Sequence, residues 1–448
     1  MSEVSGRHAL APRPERNRSL RRLPQQSISN VLVPLSQAID LAEGRAPGHA
    51  QRVAFISMSI AETLGLDKDS QLAACYAGLL HDLGVVAAGA DIAGSTSGDE
   101  RLVFASLPLL TPEEALAGSG EHSYTYVDRV AGHVDHGSRA ARFLGLSEEV
   151  AHAIATHHET WDGEGYPDGL AGPETPVIGR IVGLADHAEA LINQNSPLLA
   201  RRNFGFWMAN ASGVESDPDI VNVLAELGGG DLFWLGLCSD DLVSEITARC
   251  SRLREPRGAN LLPLAEGFAR LVDSRFSFWE GISTRVARYA ELLGKAAGLS
   301  DLGVKQLRVA ALLHDLGQLS MSERILSKPG IFSVEEMGAL HLHPLYSADI
   351  MRGIPGLEQV AEWVTSHHER VDGRGYPEGR EGDDIPLESR ILAVADAYVA
   401  ITSDRPHRPR VDGKEAQARL QSAAGTQLDA GLVDLFLSKV VLARDAAA

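Results

Sequence analysis

The sequence predicts an all-α protein made of two tandem helical bundles, because apolar residues follow a helical spacing and the chain contains an internal duplication. Apolar residues recur every three or four positions, the period of a helix with one buried face, in both halves of the chain. The clearest runs are Val53, Ile56, Ile60 and Leu64, and Val286, Tyr289, Ala290 and Leu293. The alternation of apolar and polar residues that is typical of strands is absent over any useful length.

Two signatures occur twice in the chain. Residues 79–84 read Leu-Leu-His-Asp-Leu-Gly and recur at 312–317, an offset of 233 residues. The pattern His-His-Glu followed by Asp-Gly-x-Gly-Tyr-Pro, at 157–167, recurs at 367–377 with an offset of 210. The first copy therefore carries 23 more residues between its two signatures. We place these at about 91–123 and expect them to form an insertion in a surface loop.

The duplication defines the predicted domain organisation. An N-terminal arm at 1–27 holds six arginines against two glutamates and few apolar residues, so we expect a flexible basic segment. Copy one follows at 28–250. A linker at 251–262 contains several charged residues, Pro and Gly, and it leads to copy two at 263–440 and a short tail at 441–448.

Composition excludes several classes of protein. The 448 residues are 44% apolar and 23% charged, which suits sizeable buried cores and not a disordered or collagen-like chain. Apolar stretches such as 72–80 fall short of the ~20 residues that span a bilayer, so we expect no membrane segment. Three scattered cysteines and the lack of a signal peptide predict a cytoplasmic protein. A net charge of −19 argues against DNA binding, because Lys and Arg hold phosphate backbones.

Copy one contains a set of side chains that can bind metal ions. Imidazoles and carboxylates without a thiolate suit borderline to hard metals such as Fe, Mn, Ni or Zn. Asp82 can give one oxygen to each of two ions, since Gly84 ends the helix that carries the pair. A lone histidine is usually an ordinary core or surface group, but seven such residues in one order indicate a site. They are His49, His81, Asp82, His133, His157, His158 and Asp186.

Copy two repeats six of these seven residues, with Ile282 where the first histidine should stand. The repeated candidates are His314, Asp315, His343, His367, His368 and Asp396. In both copies the Asp-Gly-x-Gly-Tyr-Pro segment is too rich in Gly and Pro for a helix interior, so we expect a stiff loop that presents Tyr166 or Tyr376 beside the metal ligands.

These motifs resemble those of the HD-GYP branch of the HD phosphohydrolase superfamily, with the His-Asp pairs and the two Gly-Tyr-Pro triplets as the shared residues. The resemblance implies two HD-type bundles of five to seven helices, two iron or manganese ions per competent site, and hydrolysis of cyclic di-GMP or a related cyclic dinucleotide in bacterial second-messenger signalling. It implies a catalytic role for His81, Asp82, His314 and Asp315. It also implies substrate binding by Tyr166, Lys328, Arg370, Tyr376, Arg405 and Arg408.

The two copies depart from this pattern in different ways. Copy one has Asn195 and Leu198 at the positions of Arg405 and Arg408. We therefore expect copy one to hold the more complete metal centre and copy two the better nucleotide-binding surface. The alternatives are a catalytically weak module that binds a nucleotide or a protein, and another phosphate-ester hydrolysis. The sequence leaves open a homodimer or a signalling-protein partner.

Overall fold

A computed structural model describes most of the chain. The described residues are 26–92, 101–111, 114, 124–193, 197–253, 255, 257–259, 261–275, 281–328, 330–404 and 409–441. The predicted arm up to residue 25, Arg405 and Arg408, and a large part of the predicted insertion lie outside these residues.

The described residues are almost entirely helical, which confirms the all-α prediction. The helices of copy one are α1 (Ile28–Ala42), α2 (His49–Thr63), α3 (Lys68–Leu80), α4 (Val85–Ile92), α5 (Arg101–Phe104), α6 (Tyr124–Ala131), α7 (His133–Phe143), α8 (Glu148–Thr156), α9 (Val177–Asn193), α10 (Pro197–Ala211), α11 (Pro218–Gly229), α12 (Asp231–Leu237) and α13 (Leu242–Arg252).

Copy two repeats this order. Its helices are α14 (Leu261–Ser274), α15 (Ile282–Ala296), α16 (Asp301–Leu313), α17 (Glu323–Leu326), α18 (Val334–Leu340), α19 (His343–Arg352), α20 (Glu358–Thr365), α21 (Leu387–Ile401), α22 (Gly413–Ala423) and α23 (Ala430–Leu435), with a terminal π-helix at Phe436–Val441. Three 3₁₀ helices lie at Gly172–Glu174, Leu316–Ser320 and Gly382–Asp384.

The helix that leads to each His-Asp pair begins with a side-chain cap. The Asp67 carboxylate accepts hydrogen bonds from two backbone amides at the start of α3, and the Ser300 hydroxyl accepts one from Gly303 at the start of α16. Such caps satisfy amides that have no partner inside the helix. Both helices end one residue before their His-Asp pair, so His81 and His314 are the C-caps and each aspartate lies in the turn that follows.

Each copy begins with a lead helix, α1 or α14, which crosses to the other copy. Helix α1 packs against α19 and the 3₁₀ helix Leu316–Ser320 of copy two, and α14 packs against α4 and α7 of copy one. A Cβ added at Gly353, just after α19, would lie 2.9 Å from Pro34 of α1. One added at Gly267 of α14 would lie 2.3 Å from Leu144, just after α7. The lead helices thus make a reciprocal interface, and one core cluster includes residues of both copies.

Short strands join the starts of the two copies. β1 (Gln26–Ser27) pairs antiparallel with β2 (Arg257–Ala259). The predicted linker at 251–262 therefore contains the end of α13, a paired strand and the start of α14. The domain bounds themselves stay a prediction.

The inserted segment of copy one is part of the core at residues 101–107. Val103, Phe104 and Leu107 are buried and form a small cluster with α4 residues and Val130. The expectation of a surface loop is therefore wrong for these residues. The extra length of copy one shows that residues are inserted, but not which of the inserted side chains pack in the protein interior.

One run, Lys68–Gly89, is long and apolar enough to cross a bilayer by composition, but 94% of its most apolar window is buried inside the protein. It contains α3 and the His81–Asp82 pair, so it is a core segment of copy one.

Glu255 connects three parts of the fold. Its buried carboxylate accepts hydrogen bonds from the Ser29 amide (2.5 Å), the Ser29 hydroxyl (2.6 Å) and the Tyr76 hydroxyl (2.5 Å). We predict that Glu255→Ala lowers the free energy of unfolding by about 2 kcal/mol or more, because it leaves buried donors without an acceptor. Urea unfolding would measure this. Glu245→Ala, at a half-exposed carboxylate on α13, is the control and should change stability by less than about 1 kcal/mol. Equal effects would contradict the prediction.

Candidate functional site

The seven ligand candidates of copy one converge in the structure. The Nε2 atom of His133 lies 3.2 Å, and that of His157 3.6 Å, from one oxygen of Asp82. The Nε2 atom of His81 lies 3.3 Å from the other oxygen of Asp82. Around His49, Nε2 is 3.3 Å from Nε2 of His81 and 3.4 Å from Asp186. Most of these side chains are fully buried.

The converging atoms form two groups of potential ligands that share Asp82. One group is His49, His81 and Asp82, with Asp186 beside it. The other is Asp82, His133, His157 and His158. Several of these buried atoms lack a hydrogen-bond partner: Oδ1 of Asp82 and of Asp186, and Nε2 of His133, His157 and His158. Orphaned acceptors aimed at one point are costly unless a cation or water satisfies them, so the donor set fits a pair of metal ions.

Backbone carbonyls orient the imidazoles. Nδ1 of His81 donates to the carbonyl of Gly78 (2.9 Å), and Nδ1 of His133 donates to Val130 (2.7 Å). Nδ1 of His157 donates to Ile154 in the same way (2.8 Å). In each case the carbonyl lies three residues earlier, at the end of the preceding helix or turn. In the neutral form of each ring, this arrangement places the proton on Nδ1 and leaves the lone pair of Nε2 facing the site.

The buried charges shift the titration of the site. Burial alone would raise the pKa of Asp82, but His81 and the other imidazoles beside it hold that pKa well below its usual range. Burial opposes the charged form of His81, yet Asp82 and Asp186 raise its pKa well above normal. Burial and the neighbouring His157 hold the pKa of His158 well below its usual value, so His158 stays neutral and available as a ligand.

The sequence analysis missed two buried acidic residues and two arginines in the same site. Glu189 accepts a hydrogen bond from Nδ1 of His49 (2.6 Å) and is held by Nε of Arg52 (2.7 Å). Glu43 is fully buried beside Nε of Arg45, at 2.9 Å. Two features of the sequence could have identified Glu189 as part of the site. It lies three residues after Asp186, on the same face of α9, and copy two, which lacks the counterpart of His49, has Val399 at the position of Glu189.

The glycine two residues after each His-Asp pair serves a close packing contact. A Cβ at Gly84 would lie 1.9 Å from the carbonyl oxygen of His133 and 2.5 Å from the amide of Gly137. A Cβ at Gly317 would lie 2.2 Å from the carbonyl oxygen of His343. The turn after the His-Asp pair thus rests directly on the helix that carries the third histidine.

The Gly-Tyr-Pro loop folds back on the His-His-Glu segment. The Glu159 carboxylate accepts hydrogen bonds from the amides of Asp168 (2.8 Å) and Leu170 (2.9 Å), and the amide of Tyr166 donates to the carbonyl of His158 (3.1 Å). The Tyr166 ring stacks on the His158 imidazole, with centroids 4.8 Å apart. The peptide bond between Tyr166 and Pro167 is cis, as is the corresponding bond in copy two. The loop therefore places the tyrosine ring against a candidate ligand, as expected.

Copy two has the same architecture with a poorer ligand set. Nε2 of His314 and of His343 lie 3.2 and 3.3 Å from the two oxygens of Asp315. His343, His367 and His368 form one potential ligand group, and His314, Asp315 and His367 another. Burial opposes protonation of His314, but Asp315 and Asp396 raise its pKa to about 9. Ile282 is buried at the position of the missing histidine.

Of the predicted substrate-side residues of copy two, Tyr376 and Arg370 belong to the Gly-Tyr-Pro loop and the segment before it, and Arg405 and Arg408 lie outside the described residues. Tyr376 stacks on His341, with centroids 3.8 Å apart, and lies next to His368. Arg370 makes a two-point contact with Asp372 (2.6 and 2.9 Å), and Lys328 contacts Glu336 (2.8 Å). Nucleotide binding by these residues stays a prediction.

Opposed histidines and aspartates at the ends of helices, repeated in two all-α bundles, are typical of metal-dependent phosphohydrolases. The chain belongs to the HD domain family, whose model matches residues 109–204 and 266–432.

Curated relatives extend this likeness. The 3'3'-cGAMP-specific phosphodiesterase 3 of Vibrio cholerae is 29% identical over 435 residues, which cover 90% of this chain and 92% of that protein. The cyclic di-GMP phosphodiesterase of Thermotoga maritima is 35% identical over 155 residues, 34% of this chain and 42% of that protein. The crystal structure of the cyclic GMP-AMP specific phosphodiesterase V-cGAP3 of Vibrio cholerae superposes with a TM-score of 0.66 at 27% identity, covering 94% of this chain and 99% of that one.

The shared position of Asp82 in both ligand groups predicts different losses for the two aspartates. We expect Asp82→Ala to remove the whole metal content of copy one, whereas Asp186→Ala should leave the ion of the His133, His157 and His158 group. Elemental analysis of anaerobically purified full-length protein would measure this. Asp135→Ala, at an exposed carboxylate on α7, is the matched control. Full metal content in Asp82→Ala would exclude the bridging arrangement.

The close contact at Gly84 predicts that Gly84→Ala displaces His133 and lowers the metal content of copy one. Gly205→Ala is the control, since a Cβ there meets nothing within 4 Å. Gly205 lies inside α10, so its replacement should keep the metal and add up to about 1 kcal/mol of stability. Metal analysis and thermal unfolding together test this. A Gly84→Ala protein with parental metal content would show that the contact can relax.

Proposed function

We propose that this protein is a metal-dependent phosphodiesterase that hydrolyses a cyclic dinucleotide, such as cyclic di-GMP or 3'3'-cGAMP, in bacterial second-messenger signalling. The observation that carries the proposal is the convergence of unpartnered imidazole nitrogens and carboxylate oxygens on a shared aspartate in copy one. The relatives named as phosphodiesterases of these nucleotides support the substrate class, and one of them matches nearly the whole chain.

Two iron or manganese ions would be held in copy one by the two groups that share Asp82. When bound, such a pair supplies Lewis acidity to a phosphodiester and lowers the pKa of a bound water. The chain's own residues do the rest. Backbone carbonyls hold His81, His133 and His157 with Nε2 inward. Glu189 holds His49, and the half-buried ring of Tyr166 packs on His158.

The surfaces around the two Gly-Tyr-Pro loops differ in charge. Copy two has Arg370 and Arg374, where copy one has Thr160 and Glu164 at the equivalent positions. The cavity of about 250 Å³ beside the site of copy one is lined by six carboxylates and by the guanidinium of Arg180, which pairs with Asp217. The six are Glu114, Glu159, Glu164, Asp186, Glu215 and Asp217. Because phosphates are bound by guanidinium groups, these differences favour copy two for recognition of the dinucleotide.

We also propose that the protein works in the cytoplasm. The Sγ atoms of Cys75 and Cys250 are buried 3.5 Å apart and not bonded, which suits a reducing compartment.

A direct test is turnover of cyclic di-GMP and 3'3'-cGAMP by full-length protein loaded with Mn²⁺ or Fe²⁺. We expect linear dinucleotide or mononucleotide products, and loss of turnover after chelation. Nucleotide binding without any turnover by the loaded protein would support a sensor and contradict the proposal.

Copy two lacks a hydrogen-bonded pair of residues that holds one side of the metal site in copy one. Ile282 and Val399 replace both members of the His49 and Glu189 pair, so a histidine restored at 282 alone would lack its hydrogen-bond partner. We predict that the double variant Ile282→His, Val399→Glu raises the metal occupancy of copy two more than Ile282→His does. Metal titration in the Asp82→Ala background measures this. No gain in either variant would show that copy two does not regain a second ion through this position.

A further inference from the structure

We infer that Arg101, in the inserted segment of copy one, is a positioning residue for the metal ligands of copy two, and that it thereby couples the two sites. The inference rests on the proposed metal sites and goes further, because it assigns to the insertion a role in the other copy.

Arg101 contacts copy two directly behind its His-Asp pair. Its guanidinium donates to the backbone carbonyl of Ser320, the last residue of the 3₁₀ helix Leu316–Ser320. That helix begins one residue after Asp315. At its other end the amide of Gly317 donates to the Ser347 hydroxyl of α19, the helix that begins with His343. A cation at a helix C-terminus satisfies carbonyls that have no partner inside the helix.

Arg275 of copy two shares this task, which shows that the end of the 3₁₀ helix needs external donors. Its guanidinium donates to the carbonyls of Leu319 (3.3 Å) and Met321 (2.7 Å), on either side of Ser320. Three successive carbonyls are therefore held by two arginines, one from each copy. The turn that carries Asp315 is therefore held on two sides: by the arginines at the C-terminal end of the 3₁₀ helix and by the packing of Gly317 on His343.

The same short segment forms part of the wall of the first site. Next to Arg101 in α5, the Phe104 ring packs edge-on against the imidazole of His133, with centroids 6.1 Å apart. The carbonyl of Ala105 accepts a hydrogen bond from Arg45 (2.9 Å), which lies beside Glu43 at the first site. The side chain of Arg101 itself packs on Gly44, where an added Cβ would lie 3.0 Å away.

One short segment thus touches a candidate ligand of site one and the backbone that follows Asp315 in site two. Movement of His133 when site one fills would be passed through α5 to Ser320, and by reciprocity filling of site two would affect site one. The lead helices pack on α7 and α19 within one core cluster, and the α5 residues Val103 and Phe104 form a smaller buried cluster beside it with Val85, Ala88 and Val130.

The test uses Mn²⁺ as the probe and full-length protein in the Asp82→Ala background, in which copy two is the remaining site. Free Mn²⁺ is followed by electron paramagnetic resonance during titration. We expect Arg101→Ala to weaken Mn²⁺ binding by about tenfold, the scale of losses when a group that orients a ligand is removed. Arg101→Lys keeps a cationic donor and should recover most of the affinity. Arg419→Ala, at an exposed cation of copy two bound to Glu415, should leave it unchanged.

A melting temperature of Arg101→Ala equal to that of the background separates positioning from general destabilisation. Equal Mn²⁺ affinity in Arg101→Ala and the background overturns this inference alone. Equal losses in Arg101→Ala and Arg101→Lys, together with a lowered melting temperature, also overturn it, because the residue then acts only through packing. Absence of Mn²⁺ binding in the background removes the proposed metal function of copy two and this inference with it.

Discussion

The structure depends on one constraint, which is that buried histidine nitrogens and aspartate oxygens must meet without satisfying one another. Fully buried polar atoms normally find hydrogen-bond partners, because desolvation without a partner costs free energy. In copy one backbone carbonyls fix His81, His133 and His157 by their Nδ1 atoms and leave Nε2 facing the same small volume as Asp82. These buried atoms are satisfied only if a cation or water enters that volume. Much of the surrounding fold, from the glycine after each His-Asp pair to the carboxylate that ties down each Gly-Tyr-Pro loop, holds this geometry in place.

The ligand candidates were predictable from sequence because they belong to short signatures that occur twice. A His-Asp pair at a helix end and a double histidine before a Gly-Pro loop keep their local geometry wherever the helices go, so convergence could be inferred from their order. The helical fold followed from apolar spacing, and the structure confirms it. What the order does not show is which polar residues back the ligands. Glu189 and Glu43 stand alone in the sequence, and their roles depend on how α9 and the loop after α1 pack against α2.

The insertion and the lead helices show a second limit of sequence reasoning. Residues 101–107 looked like extra loop because they have no counterpart in copy two, yet their apolar side chains cover His133. The packing of α1 and α14 on both copies was also not predictable, since an amphipathic helix does not specify which apolar surface it covers. Both features depend on how the helices pack in three dimensions, which local sequence does not determine. The two lead helices share one local feature: Asp40 of α1 and Asp273 of α14 each accept hydrogen bonds from backbone amides at the start of the helix that follows.

The reciprocal crossing of the lead helices resembles an isologous contact between two identical subunits that have become one polypeptide. In a homodimer every substitution appears in both subunits at once, so loss of a ligand would damage both active sites. Joined end to end, the halves accumulate changes separately. One half has kept a full set of histidines while its rim turned acidic, and the other has kept an arginine-lined rim while it lost a histidine. Fusion thus permits specialisation that a symmetric pair encoded once could not reach.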